Sequence, residues 1–205
     1  MRDLEIRGAG NLLGAKQHGH MEAVGYDLYC KMLNEAVKNL KGIPTAPTDF
    51  TTIVDIDVDA YIPASYIMNE VQKLDIYKRI AGIESRKERD DMLDELLDRF
   101  GEVPRSVENL LRIALIRVAA HDLFMTEIKG KNERIQFTFR PDARIKVEKI
   151  PELVRKYKDS LSFTAYGTPF FTYRYYKSGV VEKDAETLLS TTEKLLQDMK
   201  ELLLG

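Results

Sequence analysis

Four glycines near the start of the chain surround the side chains with the greatest capacity for chemistry. The stretch from Arg7 to Gly19 reads RGAGNLLGAKQHG. Glycine allows positive φ and close approach of the backbone to a ligand, so a phosphate-binding loop is the first chemistry to consider. In a loop counted from Gly14, however, His20 stands where the lysine is required and Met21 where serine or threonine is required. The terminal phosphates and Mg²⁺ would lack ligands, which argues against this type of loop.

Other candidates for chemistry near the start of the chain are weaker. Gly8, Gly10 and Gly14 give the spacing G-x-G-x-x-x-G, which is one residue too long for a dinucleotide fingerprint. His18 and His20 lie in a polar, glycine-broken segment, which favours solvated histidines over metal ligands. We find no nucleophile–base pair and no ligand cluster in the sequence. The chain alone is therefore predicted to be non-catalytic, with no metal and no cofactor of its own.

Composition and charge restrict the class of protein. The 205 residues carry 31 Lys and Arg against 33 Asp and Glu, a net charge of -2. Strong global attraction to nucleic acid is not indicated, so any such contact must be local. The single cysteine, Cys30, cannot form an internal disulfide, and this favours a reducing, cytoplasmic setting. No run of 18 apolar residues suggests a membrane span.

Periodicity divides the chain into two parts. Residues 25–41 carry an apolar stripe with helical spacing, and Gly42 followed by Pro44 and Pro47 ends that helix. We predict a helical hairpin or loop plus a long helix over residues 1–48. Residues 49–205 are predicted to form a separate, compact domain.

The pattern of residues 49–205 predicts a helical half, then a β-rich half, and then a last helix. Its predicted elements are a strand at Thr52–Tyr61, helices from Pro63 to near Gly82, from Ser85 to Phe100 and from Ser106 to Phe124, strands at 126–129 and 134–139, a short helix at 147–158, strands at 161–165 and 170–176, and a helix at 182–204. Ser85 and Glu88 have the spacing of a capping box. The fold class is α+β, with a small mixed sheet packed against helices.

Two groups within these strands allow a functional interpretation. Asp55, Asp57 and Asp59 alternate along a strand, where they lie in a line and do not converge on one ion, so an exposed acidic strand face is favoured over a metal site. The aromatic strands 161–177 predict either core packing or a stacking platform for single-stranded nucleic acid. The residues of that platform would be Phe163, Tyr166, Phe170, Phe171, Tyr173, Tyr175 and Tyr176, with Arg174 and Lys177.

Blocks of sequence along residues 3–125 resemble the bacterial transcription-repair coupling factors. The opening stretch, DLEIRGAGNLLG with Gln17 and Gly19, is similar to the segment after the last helicase motif in this family and in the RecG branch-migration helicases. The continuation distinguishes the two families in favour of the coupling factors. The blocks that carry the resemblance are VGYDLY with MLNEAV, DAYIP with Tyr66 and Ile67, YKRI at 77–80, and ELLDRFG at 95–101 with Pro104.

This resemblance implies that the chain is the C-terminal part of an ATP-dependent, helicase-like translocase of double-stranded DNA. In that family the parent motor binds ATP and Mg²⁺, displaces stalled RNA polymerase and recruits nucleotide excision repair at DNA damage. The resemblance also implies that residues 49–205 form a regulatory, autoinhibitory domain. Such a domain docks on a UvrB-like N-terminal module and masks the surface that recruits UvrA.

The resemblance further implies that the opening stretch is a translocation motif, which couples ATP hydrolysis to stepping along DNA. Its matching residues are Arg7, Gly8, Gly10, Gly14, Gln17 and Gly19. A guanidinium can bridge loop backbone or phosphate with several donors, and the glycines allow the loop to change conformation. We expect replacement of Arg7 or Gln17 in the intact parent to uncouple hydrolysis from translocation. An alternative function is a nucleic-acid-binding accessory module that uses the aromatic strands 161–177.

Overall fold

The fold is taken from a computed structural model, which describes residues 50–204. The predictions made for residues 1–49, including the helix at 25–41 and the predicted boundary near residue 48, lie outside the described residues. At the first described position, the ring of Phe50 stacks on His121 with centroids 4.2 Å apart, and the Arg140 guanidinium lies 4.7 Å from its centroid. The chain is thus anchored where the described domain begins.

Helices and strands alternate in blocks along the domain. In chain order the elements are strand β1 (Ile53–Ile56), helices α1 (Glu70–Ala81), α2 (Arg86–Phe100) and α3 (Arg105–Asp122), strands β2 (Met125–Lys131) and β3 (Arg134–Phe139), helix α4 (Ile150–Lys156), strands β4 (Leu161–Thr164) and β5 (Phe170–Arg174), and helix α5 (Val181–Met199). The predicted α+β class is confirmed. In the described part of the chain, no helix is long and apolar enough to cross a membrane.

The five strands form one mixed sheet in the order β1-β2-β3-β5-β4. β1 and β2 are parallel, and the three helices α1–α3 connect them, as a parallel crossover requires. The other three pairs are antiparallel. Asn132 and Glu133 make the β2–β3 hairpin as a two-residue turn, and both have positive φ.

One face of the sheet packs on helices, and within residues 50–204 the other face is left without a covering helix. Ile135, Phe137 and Phe139 alternate along β3 and are fully buried, and their cross-strand partner Phe171 is buried with them. The intervening Gln136 and Thr138 lie on the opposite face. Antiparallel sheets commonly have one buried and one solvated face, which gives this alternation.

Helix α5 closes the core and packs along α3. Arg112 of α3 fixes the pairing of the two helices, because its guanidinium donates to Glu193 at 2.8 Å and 2.9 Å and to Glu186 at 2.8 Å. Gly130 of β2 allows close approach. A Cβ atom there would lie 3.2 Å from Leu188 of α5 and 3.3 Å from Ile56 of β1.

The predicted start of the first helix was wrong. Helix α1 begins at Glu70, not at Pro63. The Pro63 carbonyl accepts the N–H groups of Tyr66 and Ile67 in a single turn that does not continue. Asn69 then caps the helix, since its Oδ1 accepts the backbone N–H groups of residues 71 and 72, both at 3.0 Å.

Two further boundaries differ from the prediction. The strand expected at Thr52–Tyr61 covers only Ile53–Ile56, because the Asp57 N–H makes the last bond to β2, at 2.9 Å, and the Val58 N–H turns back to the Ile56 carbonyl. The last helix ends at Met199 and is followed by one wider turn at Lys200–Leu204. The remaining predicted elements are present, with ends shifted by a few residues.

Candidate docking surface

The residues predicted for the translocation motif lie outside the described residues. They are Arg7, Gly8, Gly10, Gly14, Gln17 and Gly19, and their role stays a prediction. A candidate surface for the regulatory contact is the charged pair of helices between residues 64 and 105. The structure describes it completely, as helices α1 and α2.

Helix α2 begins with a full capping box. The Ser85 hydroxyl accepts the Glu88 N–H at 3.2 Å, and the Glu88 carboxylate accepts the N–H groups of Ser85 and Glu84 at 3.2 Å and 2.7 Å. This satisfies donors that the first turn of a helix leaves free. Gly101, at φ 83°, ends the helix and accepts a bond from Tyr66 Oη at 3.3 Å. Both ends of α2 are therefore fixed.

Only one side of helix α2 is covered by the domain. Met92 and Leu96 are buried, whereas Leu97 is 54 % exposed. Asp91, Asp94 and Asp98 are exposed and follow each other at spacings of three and four residues along one side of the helix, and Leu97 lies three residues after Asp94. We call this group of four residues, Asp91, Asp94, Leu97 and Asp98, the acidic face.

The aspartates of the acidic face form no ion pair in the described part of the chain. No ion pair or side-chain hydrogen bond engages the three aspartates there, although several arginines lie close by. Three unpaired carboxylates around an exposed leucine suit an interface with a basic partner, in which charge sets orientation and an apolar side chain supplies contact.

Beside this face, Glu95 holds two arginines. It accepts from Arg79 of α1 in a two-pronged pair, one bond of which is 2.7 Å, and from Arg99 at 2.5 Å. Arg79 and then Arg99 lower the pKa of Glu95 to about 2, against the opposing effect of burial. Arg99 also lies 4.9 Å from the ring centroid of Phe100. The cluster joins α1 to α2 and fixes the orientation of the acidic face.

Replacing Glu95 with glutamine should make the domain less stable above pH 5 and leave its stability nearly unchanged near pH 2. The pKa of Glu95 lies below its ordinary value of 4.5, so the unfolded chain binds the proton more tightly. The stabilisation is present above pH 4.5 and is lost as the pH falls toward 2. Thermal unfolding of both proteins between pH 2.5 and 7 measures this. Glu102→Gln is the control, and a Glu95→Gln deficit of equal size at both ends of the range would contradict the assignment.

The strand aspartates are engaged in ion pairs. Asp55 pairs with Lys131 at 2.8 Å, and Asp57 lies 3.5 Å from Lys177. In residues 50–204 no group of three acidic, histidine or cysteine side chains is arranged to hold a metal ion. Of the three aspartates predicted to alternate along one strand, only Asp55 lies within β1, because that strand ends at Ile56.

The structure divides the aromatic strands between core and surface. Phe171 and Tyr175 are buried, and Phe163 packs on Phe171 with centroids 4.7 Å apart. Only Tyr166 and Tyr176, which are 95 % and 88 % exposed, present whole rings to solvent. Four of the seven rings assigned to a stacking platform therefore lie in the core or pack against it, namely Phe163, Phe171, Tyr173 and Tyr175.

Sequence reasoning did not identify the contact between Arg79 and Glu95. The pair Glu95 and Arg99 is visible as an i, i+4 spacing within one helix. Arg79 lies 16 residues from Glu95 and meets it only because α1 and α2 pack side by side. No sequence pattern marks that contact.

Known proteins provide an independent comparison. The profile of the TRCF domain family matches residues 56–150. The transcription-repair-coupling factor of Bacillus subtilis is 42 % identical over 159 residues, which are 77 % of this chain and 14 % of that protein. The protein of the same name from Staphylococcus epidermidis RP62A is 46 % identical over 144 residues, covering 70 % of this chain and 12 % of its own length. The chain thus spans about one seventh of the length of these relatives.

A solved structure has the same fold. The crystal structure of a C-terminal domain of transcription-repair coupling factor superposes with a TM-score of 0.61. It is 24 % identical in sequence, and the match covers 75 % of this chain and 97 % of that one. At this identity the likeness bears on the fold alone.

Proposed function

The chain belongs to the transcription-repair coupling factor family and carries its C-terminal domain, and from this premise we propose that residues 49–205 are a regulatory clamp. The clamp acts on an ATP-driven translocase of double-stranded DNA, most of which lies outside this chain. The intact protein displaces stalled RNA polymerase and recruits nucleotide excision repair, in the cytoplasm where both meet the chromosome. ATP and Mg²⁺ bind to the motor elsewhere in that protein.

The observation that carries this proposal is the acidic face of α2. It presents Asp91, Asp94 and Asp98 together with the exposed Leu97, and among the described residues no ion pair engages these aspartates. An acidic face of this kind is suited to bind a complementary basic surface. We assign that surface to the UvrB-like N-terminal module of the same protein, which would be masked for UvrA while the clamp is closed.

The energy required of such a clamp is modest. Shifting a two-state equilibrium from mostly open to mostly closed takes about 3 to 5 kcal/mol of differential binding. Interfaces between domains of one chain are commonly small and polar, so they can reopen when another ligand competes. Exposed carboxylates that bind through charge complementarity fit this requirement.

We assign the coupling between motor and DNA to residues 7–19. Arg7 and Gln17 would contact backbone or phosphate, while Gly8, Gly10 and Gly14 allow the loop to change conformation with the state of the ATP site. The alternative is a nucleic-acid-binding module built on the aromatic strands. It is disfavoured, because four of its seven aromatic rings lie in the core or pack against it.

Removal of residues 49–205 from the intact protein should increase its capture of UvrA. The truncated and the intact protein are immobilised in equal amounts and exposed to purified UvrA, and the bound fraction is measured by titration. A rise in apparent affinity of about fivefold to a hundredfold is expected if the clamp competes with UvrA for one surface. The isolated UvrB-like module is the reference, since it has no clamp. Equal affinity of the intact and the truncated protein would refute the regulatory role.

A further inference from the structure

The outer face of the sheet carries a row of cations across three adjacent strands. Lys131 of β2 is paired in register with Arg134 of β3, and Arg134 is paired with Arg174 of β5. Adjacent strands lie about 4.8 Å apart, so the three positions span about 10 Å. Lys129 precedes Lys131 by two residues and shares its side of β2. All four side chains are exposed.

Folding alone does not account for this arrangement. Like charges placed directly opposite each other destabilise an antiparallel pair, yet Arg134 faces a cation on both sides. Among the described residues, no ion pair or side-chain hydrogen bond engages Lys129, Arg134 or Arg174. The cost in repulsion suggests a ligand that supplies the missing negative charge.

The acids on the same face do not compensate the row. The Asp55 carboxylate forms an ion pair with Lys131 at 2.8 Å, and the Asp57 carboxylate lies 3.5 Å from the Lys177 ammonium. Glu133 accepts the Lys177 N–H at 2.9 Å. Glu127 lies on the far side of Lys129, at the register position of Thr138. The three cations without an ion pair, Lys129, Arg134 and Arg174, thus outnumber the two carboxylates without one, Glu127 and Glu133, since the N–H group that Glu133 accepts is uncharged.

Apart from Ile53 and the partly buried Phe170, which is in register with Thr138, the rest of the face is polar and offers hydrogen-bond donors. Beyond the cations, the outward positions include Gln136, Thr172 and Ser162, which follow each other in register across three strands. A protein interface would need a buried apolar centre with aromatic anchors. The exposed apolar residue on these strands is Ile53, which lies on the edge strand β1. Cations with hydroxyl and amide donors are the groups that contact phosphates in nucleic-acid complexes.

We propose that this open face, through Lys129, Lys131, Arg134 and Arg174, binds the phosphodiester backbone of a nucleic acid. Arginine forks bind phosphate with two parallel hydrogen bonds, and neighbouring strands place two such forks side by side. The contacts are made to the backbone, so binding is independent of base sequence and steeply dependent on salt. The surface is separate from the acidic face of α2, and this assignment does not depend on the regulatory clamp.

Fluorescence anisotropy with the full 205-residue chain tests the assignment. The probes are a labelled 20-nucleotide single strand and the duplex of the same length, titrated between 20 and 200 mM salt. The double variant Arg134→Gln/Arg174→Gln should bind at least tenfold more weakly at low salt. Its plot of log affinity against log salt should be shallower by about 1 to 2, since each neutralised phosphate contributes about 0.7 to 0.9. The double variant Arg86→Gln/Lys87→Gln, which removes the same charge from the start of α2, should bind as the parent does.

Three controls make the outcome decisive. The melting temperature of Arg134→Gln/Arg174→Gln should equal or exceed that of the parent, because a repulsive pair is removed. Capture of UvrA by the intact protein should be unchanged by the same substitutions, which separates this surface from the clamp. Equal affinity of the variant and the parent for both probes would overturn the proposal. The proposal would also be overturned if poly-glutamate displaced the probes as effectively as unlabelled polynucleotide does. The face would then bind any acidic chain.

Discussion

Intact protein that carries Asp94→Lys and Asp98→Lys is expected to capture UvrA about fivefold to a hundredfold more tightly than the unchanged protein. The two aspartates flank Leu97 on the acidic face and have no partner in the described part of the chain. Reversal of their charge turns attraction to a basic partner into repulsion, and a coupling energy of about 1 to 3 kcal/mol would then be lost. The basal ATPase of the motor should rise together with UvrA capture, because one closed state restrains both.

The control for this prediction changes the same charge elsewhere. Glu148→Lys with Asp159→Lys reverses two exposed acids that flank α4, and it should leave UvrA capture unchanged. Helix α2 itself should tolerate the lysines, since cations in the last turns of a helix interact favourably with its dipole. A melting temperature near that of the parent would verify this. If both double variants raised capture equally, the effect would come from net charge, and the acidic face would lose its assigned role.

Phe137→Ala should destabilise the domain by about 3 to 5 kcal/mol. Phe137 is fully buried at the centre of β3, where it is flanked in register by Ile128 and Phe171. Truncation of a buried phenylalanine removes its transfer free energy and leaves a cavity. Domains of this kind have about 5 to 15 kcal/mol of stability in total, so the variant should unfold at a much lower denaturant concentration. Equilibrium unfolding in urea, followed by circular dichroism, measures the loss.

The neighbouring residue provides the matched control. Gln136 lies on the same strand but on the open face, and its side chain makes one bond of 3.3 Å to Thr138. Gln136→Ala should therefore cost less than about 1 kcal/mol, within the range of strand propensity. Comparable losses at positions 136 and 137 would mean that the outer face is covered as well, and this would also exclude the nucleic-acid surface proposed above.

Much of the fold follows from local pattern. Helix α2 could be predicted from its apolar spacing and from the capping box of Ser85 and Glu88, because both are set within one helix. The hairpin of β2 and β3 follows from alternation and from a turn between them. The start of α1 could not be obtained in this way. Proline suits the first turn of a helix, so the sequence favours a start at Pro63. Only the structure shows that the turn at Pro63 ends after Ile67 and that Asn69 caps the helix.

The candidate surfaces were less accessible to sequence reasoning. The density of charge between residues 85 and 105 is visible in the sequence, but the division into an ion-paired Glu95 and an unpaired acidic face depends on where Arg79 lies. The cations at 131, 134 and 174 come from three strands, two of which are separated by a helix and a further strand. A two-residue turn places Lys131 opposite Arg134, but the sequence does not indicate that Arg174 lies opposite Arg134 on the other side.

The sequence by itself determined the family, the α+β class and most helix and strand types, since these depend on residue identity and on periodicity within one element. The glycine-rich stretch from Arg7 to Gly19 resembles a motif that this family shares with the RecG helicases, and its structural role stays a prediction. Only the tertiary structure decided which charges are neutralised and which are left open to a partner. Ion pairs between elements depend on distances of a few ångströms across the fold, and those distances are fixed by the packing of α1 on α2 and by the order of strands in the sheet.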